Sequence, residues 1–399
     1  MITRVTEQMK YFLMTENLFK VQNKNGRLME QMASQKRINR PSDDPLGTNT
    51  VMDLRTMRAS LESYGRNIEN AKAWLSVTES KLSSAADILL AAKELSLSQS
   101  SATASEASRK SAAATVSSTI DALRALANSK FGGRYLFAGS CPDADPFTAV
   151  PGAASIGAAE PSAANVFDGD AVTSGTYTAD RNKTYAVRIV TGGALAAATY
   201  QVSSDGGKTW GAVKAGLVGD VAIGDGVNIR FEETGTEQLT SGDLFSLQAL
   251  TAGYCRGNGD EPAVEIGKGN TFRYGISGES VFTDRDSGNV DVFTVLDNLK
   301  TALESNDATG IASQIDLLQG GYDQIVRSVS RCGSRVEILE TAQNNYSALD
   351  LQLTELMSNA EDTDVSQLLI EYNSHEIALE ACYSMAAQIG NNSIIQFLK

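Results

Sequence analysis

Histidine is almost missing. His375 is the only one in 399 residues. An imidazole-based zinc site or a Ser-His-Asp triad would rest wholly on it, and it sits in a helical run with no nucleophile placed beside it. Cysteine is nearly as scarce. Cys141, Cys255, Cys332 and Cys382 form no C-x-x-C pair or other metal spacing, so they read as small buried hydrophobes or surface thiols, not a disulfide framework. A basic excess is missing too: 34 Lys and Arg face 48 Asp and Glu, a net charge of −14. That argues against nucleic acid and anionic membrane surfaces as partners. No apolar run approaches the roughly 20 residues that span a bilayer. The start, M-I-T-R-V-T-E-Q-M-K, has no apolar h-region, so no Sec signal peptide is expected, and export would use another route. No catalytic constellation, cofactor or metal site is expected.

Proline is confined to positions 41, 45, 142, 146, 151, 161 and 262, which leaves 46–141 and 263–399 without any. Glycine is concentrated instead: 23 of 34 fall between 141 and 290. Helical stretches at each end therefore enclose a Gly-rich middle. The expected class is α+β multidomain. An elongated, coiled-coil-like helical body is built from both chain ends, and an antiparallel β domain is inserted in it. The expected boundaries are 1–42 with 360–399 for a terminal helical pair, 43–140 with 290–359 for the body, and 141–289 for the insert.

The helical stretches carry heptads. Leu54, Leu61, Ile68, Leu75, Leu82 and Leu89 recur every seven residues, with Met57, Tyr64, Ala71, Thr78, Ala85 and Ala92 three later. The second half repeats this through Ile315, Leu318, Tyr322, Ile325, Val329, Cys332, Val336, Leu339, Gln343, Tyr346, Asp350, Leu353 and Met357. Seams of this length predict extended helix pairing, with Cys332 a packing residue. A third helix is expected over about 103–130, stopped by Lys130 and Gly132-Gly133.

The two ends match each other. Tyr11, Met14, Leu18, Val21, Asn25, Leu28 and Met32 form one apolar stripe; Val365, Leu369, Tyr372, Leu379, Tyr383 and Ala386 form another. Residues 1–40 hold eight Lys/Arg and three Asp/Glu (8 − 3 = +5), and 360–399 hold one Lys and six Asp/Glu (1 − 6 = −5). Opposite charge on two striped helices predicts that they pair. Such a pair buries little against a backbone entropy cost of about 1–2 kcal/mol per residue, so it is expected to need neighbouring copies.

In the middle, 184–190, 198–204, 227–233 and 243–249 read as short strands. S-S-D-G-G-K-T-W (203–210) resembles the Asp box of sialidase propellers. There the aspartate, here Asp205, bonds turn amides, Gly207 takes positive φ and Trp210 packs beneath. One copy in so short a β region reads as a structural hairpin; a sialidase-like or glycan-binding surface protein is the remote alternative.

Residues 37–47, R-I-N-R-P-S-D-D-P-L-G, set paired aspartates between two prolines. Metal or acid–base chemistry is one reading. The other is an elbow in which Ser42 or Asp43 caps the following helix, Asp44 favours its dipole, Pro45 fits its first turn and Pro41 stiffens the approach.

Several stretches together resemble the flagellin family of bacterial axial proteins, and within it the hook-associated members at the hook–filament junction. They are K-R-I-N-R-P-S-D-D-P (36–45), Y-G-R-N-I-E-N-A (64–71), N-S-K-F-G-G-R-Y-L-F-A-G-S (128–140) and A-L-E-A-C-Y-S-M-A-A-Q-I-G-N-N-S-I-I-Q-F-L (378–398). The likeness covers roughly 1–140 and 290–399. It implies a non-enzymatic structural protein, exported by the flagellar type III route to the extracellular flagellum. It further implies a ring of identical subunits that adapts the flexible hook to the filament. The implied neighbours are the first hook-associated protein on the hook side and flagellin on the other, with an export chaperone on the C-terminal helix, residues 365–398. A flagellin, the filament subunit itself, is the alternative; P-S-D-D-P and R-Y-L-F-A-G favour the junction.

Overall fold

The structure is a computed structural model that describes residues 7–101, 103–139, 145–232, 238–257, 259–284 and 289–397. Ser140, Cys141, Pro142, Glu233, residue 398 and the side chain of Tyr11 lie outside that description. The chain forms two compact units, residues 1–65 with 342–399, and residues 66–341. These differ from the three-part division read from the sequence. The reason is that α2 (Pro45–Gln99) and α5 (Ala308–Glu361) run unbroken for 55 and 54 residues. No linker separates their ends from their middles, and the insert packs into the second unit.

In the second unit the heptads are the core. Ile68, Leu75, Leu82 and Leu89 of α2 are buried, as are Leu318, Ile325, Cys332 and Leu339 of α5. Each such leucine or isoleucine contributes about 1.5–3 kcal/mol on full burial. Thr78, polar within the seam, donates its hydroxyl to the Trp74 carbonyl at 2.8 Å. Lys72 meets Glu340 at 3.2 Å and Lys93 meets the Gln319 side chain at 2.5 Å, pairs that fix an antiparallel register.

The helix α3 is shorter than the sequence suggests. It runs Glu106–Ala127, capped by the Ser105 side chain on the Ser108 amide. Lys130 belongs instead to a tight hairpin, Lys130–Phe131 with Arg134–Tyr135. Gly132 and Gly133 turn it at φ 57° and 83°, where a side chain would be strained. After the hairpin, Leu136, Phe137 and Ala138 are buried. Phe137 and Phe147 meet Phe282 edge-on at 5.5 Å, and Phe147 lies 5.4 Å from Phe293, a favoured aromatic geometry. Phe293 belongs to α4, Val292–Glu304, whose start is capped by Asp291 on the Thr294 amide.

The insert is antiparallel. One sheet orders Ser155–Ile156, Leu244–Leu250, Lys183–Thr191, Thr199–Ser203 and Lys214–Ala215, with Glu160–Pro161 also on Leu244–Leu250; a second orders Val221–Gly224, Val227–Glu232 and Asp170–Gly175. In Leu244–Leu250 every second residue (Phe245, Leu247, Ala249) is buried, the period-2 pattern of a half-covered strand. These join Tyr185, Val187, Ile189, Ile229 and Phe231 in one core.

In the first unit, α1 (Glu7–Ser34) packs against α6 (Val365–Phe397). The near ends of α2 and α5 are more open here. Leu54 and Leu61 are half-buried and Met57 is exposed, contrary to its place in the heptad. Arg58 Nε donates to Asp350 Oδ1 at 2.8 Å, and the Tyr64 and Tyr346 rings lie 6.2 Å apart.

Candidate assembly site: the elbow and the terminal helix pair

Elbow side chains divide the work of the two aspartates. Asp44 is the N-cap of α2: its Oδ1 accepts from the Gly47 amide at 2.9 Å and its carbonyl from the Thr48 amide at 2.9 Å. Pro45 therefore takes the first helical position, where a missing N–H costs nothing. This corrects the assignment of the cap to Ser42 or Asp43; Ser42 is exposed. Asp43 closes the preceding turn. Its Oδ2 accepts from the Arg40 and Asn39 amides at 2.9 and 3.3 Å, and its Oδ1 from Arg27 at 2.5 Å. The Arg27 hydrogen bond, then the Arg40 amide, holds the Asp43 carboxyl below the usual carboxylate range. The Gly47 amide, then Arg37, does the same for Asp44. Both aspartates are thus committed to backbone and cation partners, which explains the pair without metal or acid–base chemistry. Among the described residues, no group of three His, Cys, Asp or Glu is placed to hold a metal.

Two residues outside the motif complete the elbow. Gly47 sits in a tight place: a Cβ there would lie 2.5 Å from Asp44 Oδ2 and 2.6 Å from Ile38 Cδ1, so the end of one of those side chains would have to shift. Glu361, at the end of α5 and buried, accepts from Lys36 at 2.6 Å and from Arg55 at 2.7 and 2.9 Å. Burial pushes its carboxyl up, and the hydrogen bonds from Lys36 and Arg55 outweigh that, so it titrates below its ordinary value. Backbone bonds tie the same two turns together, Arg37 N to Glu361 O at 2.7 Å and Thr363 N to Gln35 O at 3.1 Å. Beside them Ile38, Pro41, Val51, Met52, Arg55 and Glu361 line a cavity of about 190 Å³.

Asp364 opens α6, accepting from the Ser366 and Gln367 amides at 2.8 and 3.2 Å. On α1, Leu28 is buried and Met14, Leu18, Val21, Asn25 and Met32 are half-buried. On α6 the inward positions are Leu368, Tyr372, His375, Leu379, Cys382 and Ala386. Val365, Leu369 and Tyr383 are exposed, which differs from the stripe read in the sequence. Tyr372, Leu379 and Ala386 of that stripe do face inward; steps of three and four leave the intervening positions open, and the structure fills them with Leu368, His375 and Cys382. Tyr383 instead sits at the edge, its hydroxyl accepting from Gln22 at 2.7 Å. Outside the α1–α6 contact, Phe12, Phe19, Ile370 and Ile377 are 69, 59, 70 and 69% exposed.

The Asp-box turn is a closed structure. Asp205 accepts from Ser203 Oγ at 2.5 Å, Thr209 Oγ1 at 2.5 Å, and the Thr209 and Lys208 amides at 2.9 and 3.0 Å. Those bonds, the Ser203 hydroxyl first, hold it far below the usual carboxylate range. Gly207 has φ 92°, and its missing Cβ would lie 3.3 Å from the Trp210 ring. Arg188 covers that ring at 4.3 Å, where a sugar would stack.

Residues 5–141 match the bacterial flagellin N-terminal helical region. The chain is 33% identical over 150 residues to flagellar hook-associated protein 3 of Salmonella typhimurium, covering 37% of this chain and 47% of that protein. It is 32% identical over 153 residues to the protein of the same name in Escherichia coli, again 37% and 47%. The chain spans about half the length of the curated relatives it matches. A Vibrio parahaemolyticus structure described as a flagellar hook-associated protein shares the fold. It has a TM-score of 0.51 at 14% identity, covering 80% of this chain and all of that one.

Proposed function

We propose that this chain, whose first third is a flagellin-type helical region, is a structural subunit of the bacterial flagellum. It polymerises as a ring at the hook–filament junction and adapts the flexible hook to the flagellin filament. The observation that carries this reading is the likeness to hook-associated protein 3 over about 150 residues, beside the flagellin-type match at residues 5–141. The terminal pair supports it. Phe12, Phe19, Ile370 and Ile377 put apolar surface on the outside of a two-helix unit, and patches of that kind mark protein contacts. Neighbouring copies would cover it. The partners are then the first hook-associated protein, flagellin, and before export a chaperone on α6; the site of action is the extracellular flagellum.

Deleting the gene in its host tests this. Cells should carry hooks without filaments and release unpolymerised flagellin into the medium. Normal filaments in the deleted strain would overturn the reading. Loss of filaments with no flagellin released would favour the alternative, that this chain is the filament subunit.

A further inference from the structure

Glu279 is a buried carboxyl that neither the elbow nor the terminal pair explains. It opens the five-residue π-helix Glu279–Thr283 and is 6% exposed. Its Oε1 accepts from the Asn182 amide at 2.6 Å, and its Oε2 lies against the backbone at Gly259, where a Cβ would come within 3.0 Å. Asn182 joins several segments. Its Nδ2 donates to the Cys255 and Gly257 carbonyls at 3.1 and 2.7 Å, and its Oδ1 accepts from the Thr251 amide at 2.7 Å. It immediately precedes the central strand Lys183–Thr191 of the insert. The other face of the π-helix holds the helices: Phe282 packs on Phe137 and Phe293, and Gln324 of α5 donates to the Val281 carbonyl at 2.8 Å. Glu279 is therefore a point where the insert's sheet is fastened to the helical part of its unit.

Among the described residues, Arg181 and Asp284 are the charged side chains that act on it. Arg181 pairs with Asp284 at 3.2 Å; the first favours an ionised Glu279 and the second opposes it. Tyr177 and the Cys255 thiol also feel its charge. We propose that Glu279 is a proton-operated latch between the inserted sheet and the helices: neutral, it accepts from the Asn182 amide with no buried charge, and ionised, the cost of enclosing that charge exceeds what the stronger Asn182 hydrogen bond returns and favours the open form. Supporting this, burial raises the Glu279 carboxyl to about 7, with the Asn182 amide and Arg181 pulling the other way. The linkage sign follows. The closed form binds the proton more tightly than the open one. Opening is therefore least favourable in acid, rises by up to about tenfold per pH unit from about 4.5, and levels off above about 7.

Hydrogen–deuterium exchange of the full chain, corrected for intrinsic rates, tests it. The amides of 182–184 and 251–257 should lose at least about tenfold in protection between about pH 5 and pH 7. E279Q should abolish that loss. Replacing Asp284 by Asn removes a repelling charge, so the loss should be smaller and level off at lower pH. His375, the only histidine, lies in the other unit, so no imidazole of this unit titrates in that window. Equal pH dependence in wild type and E279Q overturns the latch. So does a D284N profile that levels off no earlier than wild type, the decisive reading if E279Q fails to fold.

Discussion

Arg55 donates through one nitrogen to both carboxylate oxygens of Glu361, at 2.7 and 2.9 Å, across 306 residues of chain. Lys36 donates to one of the same oxygens, Oε1, at 2.6 Å. One acidic side chain thereby fastens the start of α2, the end of α1 and the end of α5.

Glu361→Gln keeps the shape and removes the charge. Its partners are partly exposed, which screens the gain, so a loss of about 1 kcal/mol is expected. Because its folded pKa is depressed, the stabilisation is present above the unfolded value of about 4.5 and disappears as pH falls below it. Urea unfolding at neutral and acid pH should show the difference between wild type and variant shrinking in acid.

Gly47→Ala should destabilise by about 1–3 kcal/mol, because the new methyl must displace the capping carboxylate or Ile38. Gly65 is the control, in the same helix, where an added methyl would meet nothing within 4 Å. Gly65→Ala should raise stability by up to about 1 kcal/mol through helix propensity. Calorimetric melting of both variants settles the contrast; equal shifts would mean that the close approach at Gly47 is relieved at no cost.

Asp44→Ala removes an N-cap and should cost about 1 kcal/mol. Asp43→Ala instead frees Arg27 and the Asn39 and Arg40 amides, which unties the turn without touching the first turn of α2. The double variant should weaken filament retention and motility. Full motility with normal filaments would mean that the elbow is dispensable for assembly.

Phe19→Ser combined with Ile377→Ser changes exposed side chains and should leave the melting of the free chain within about 0.5 kcal/mol of wild type. Incorporation into the flagellum, followed by immunogold labelling at the hook tip, should fall sharply. In the free chain, mild proteolysis should remove residues near 1–40 and 360–399 before the rest. Unchanged incorporation would show that neighbours meet elsewhere.

Long-period features were legible in the sequence, because seven-residue spacing persists through Ile68–Leu89 and Leu318–Leu339 whatever the local detail. Single-residue phase was not. Ser42, Asp43 and Asp44 are all good caps, and only Pro45, which takes the first helical position, singles out Asp44. On α6, Leu368 and Leu369 are equivalent by composition, and the choice depends on His375 and Cys382 facing inward. Nothing local in the sequence marks Gly47 or Glu361, since the crowding at Gly47 comes from side chains that fold against it and the partners of Glu361 lie 325 and 306 residues away. The π-helix lies in the stretch read as the end of the β domain, 141–289; α4 falls within the expected helical body, 290–359, where it was not singled out although Val292, Phe293, Leu296, Leu299 and Leu303 carry a helical period behind Asp291.

Lys36 and Glu361 are separated by 325 residues, and that distance has a meaning in time. During synthesis α1 appears hundreds of residues before α6, the helix that covers its seam. Closing so long a loop is slow compared with forming local contacts, although length adds only logarithmically to its cost. For that interval Leu18, Val21 and Leu28 have no α6 to pack against, while the heptads of α2 wait in the same way for α5. The order in which the chain is made therefore leaves the terminal pair among the last parts to close.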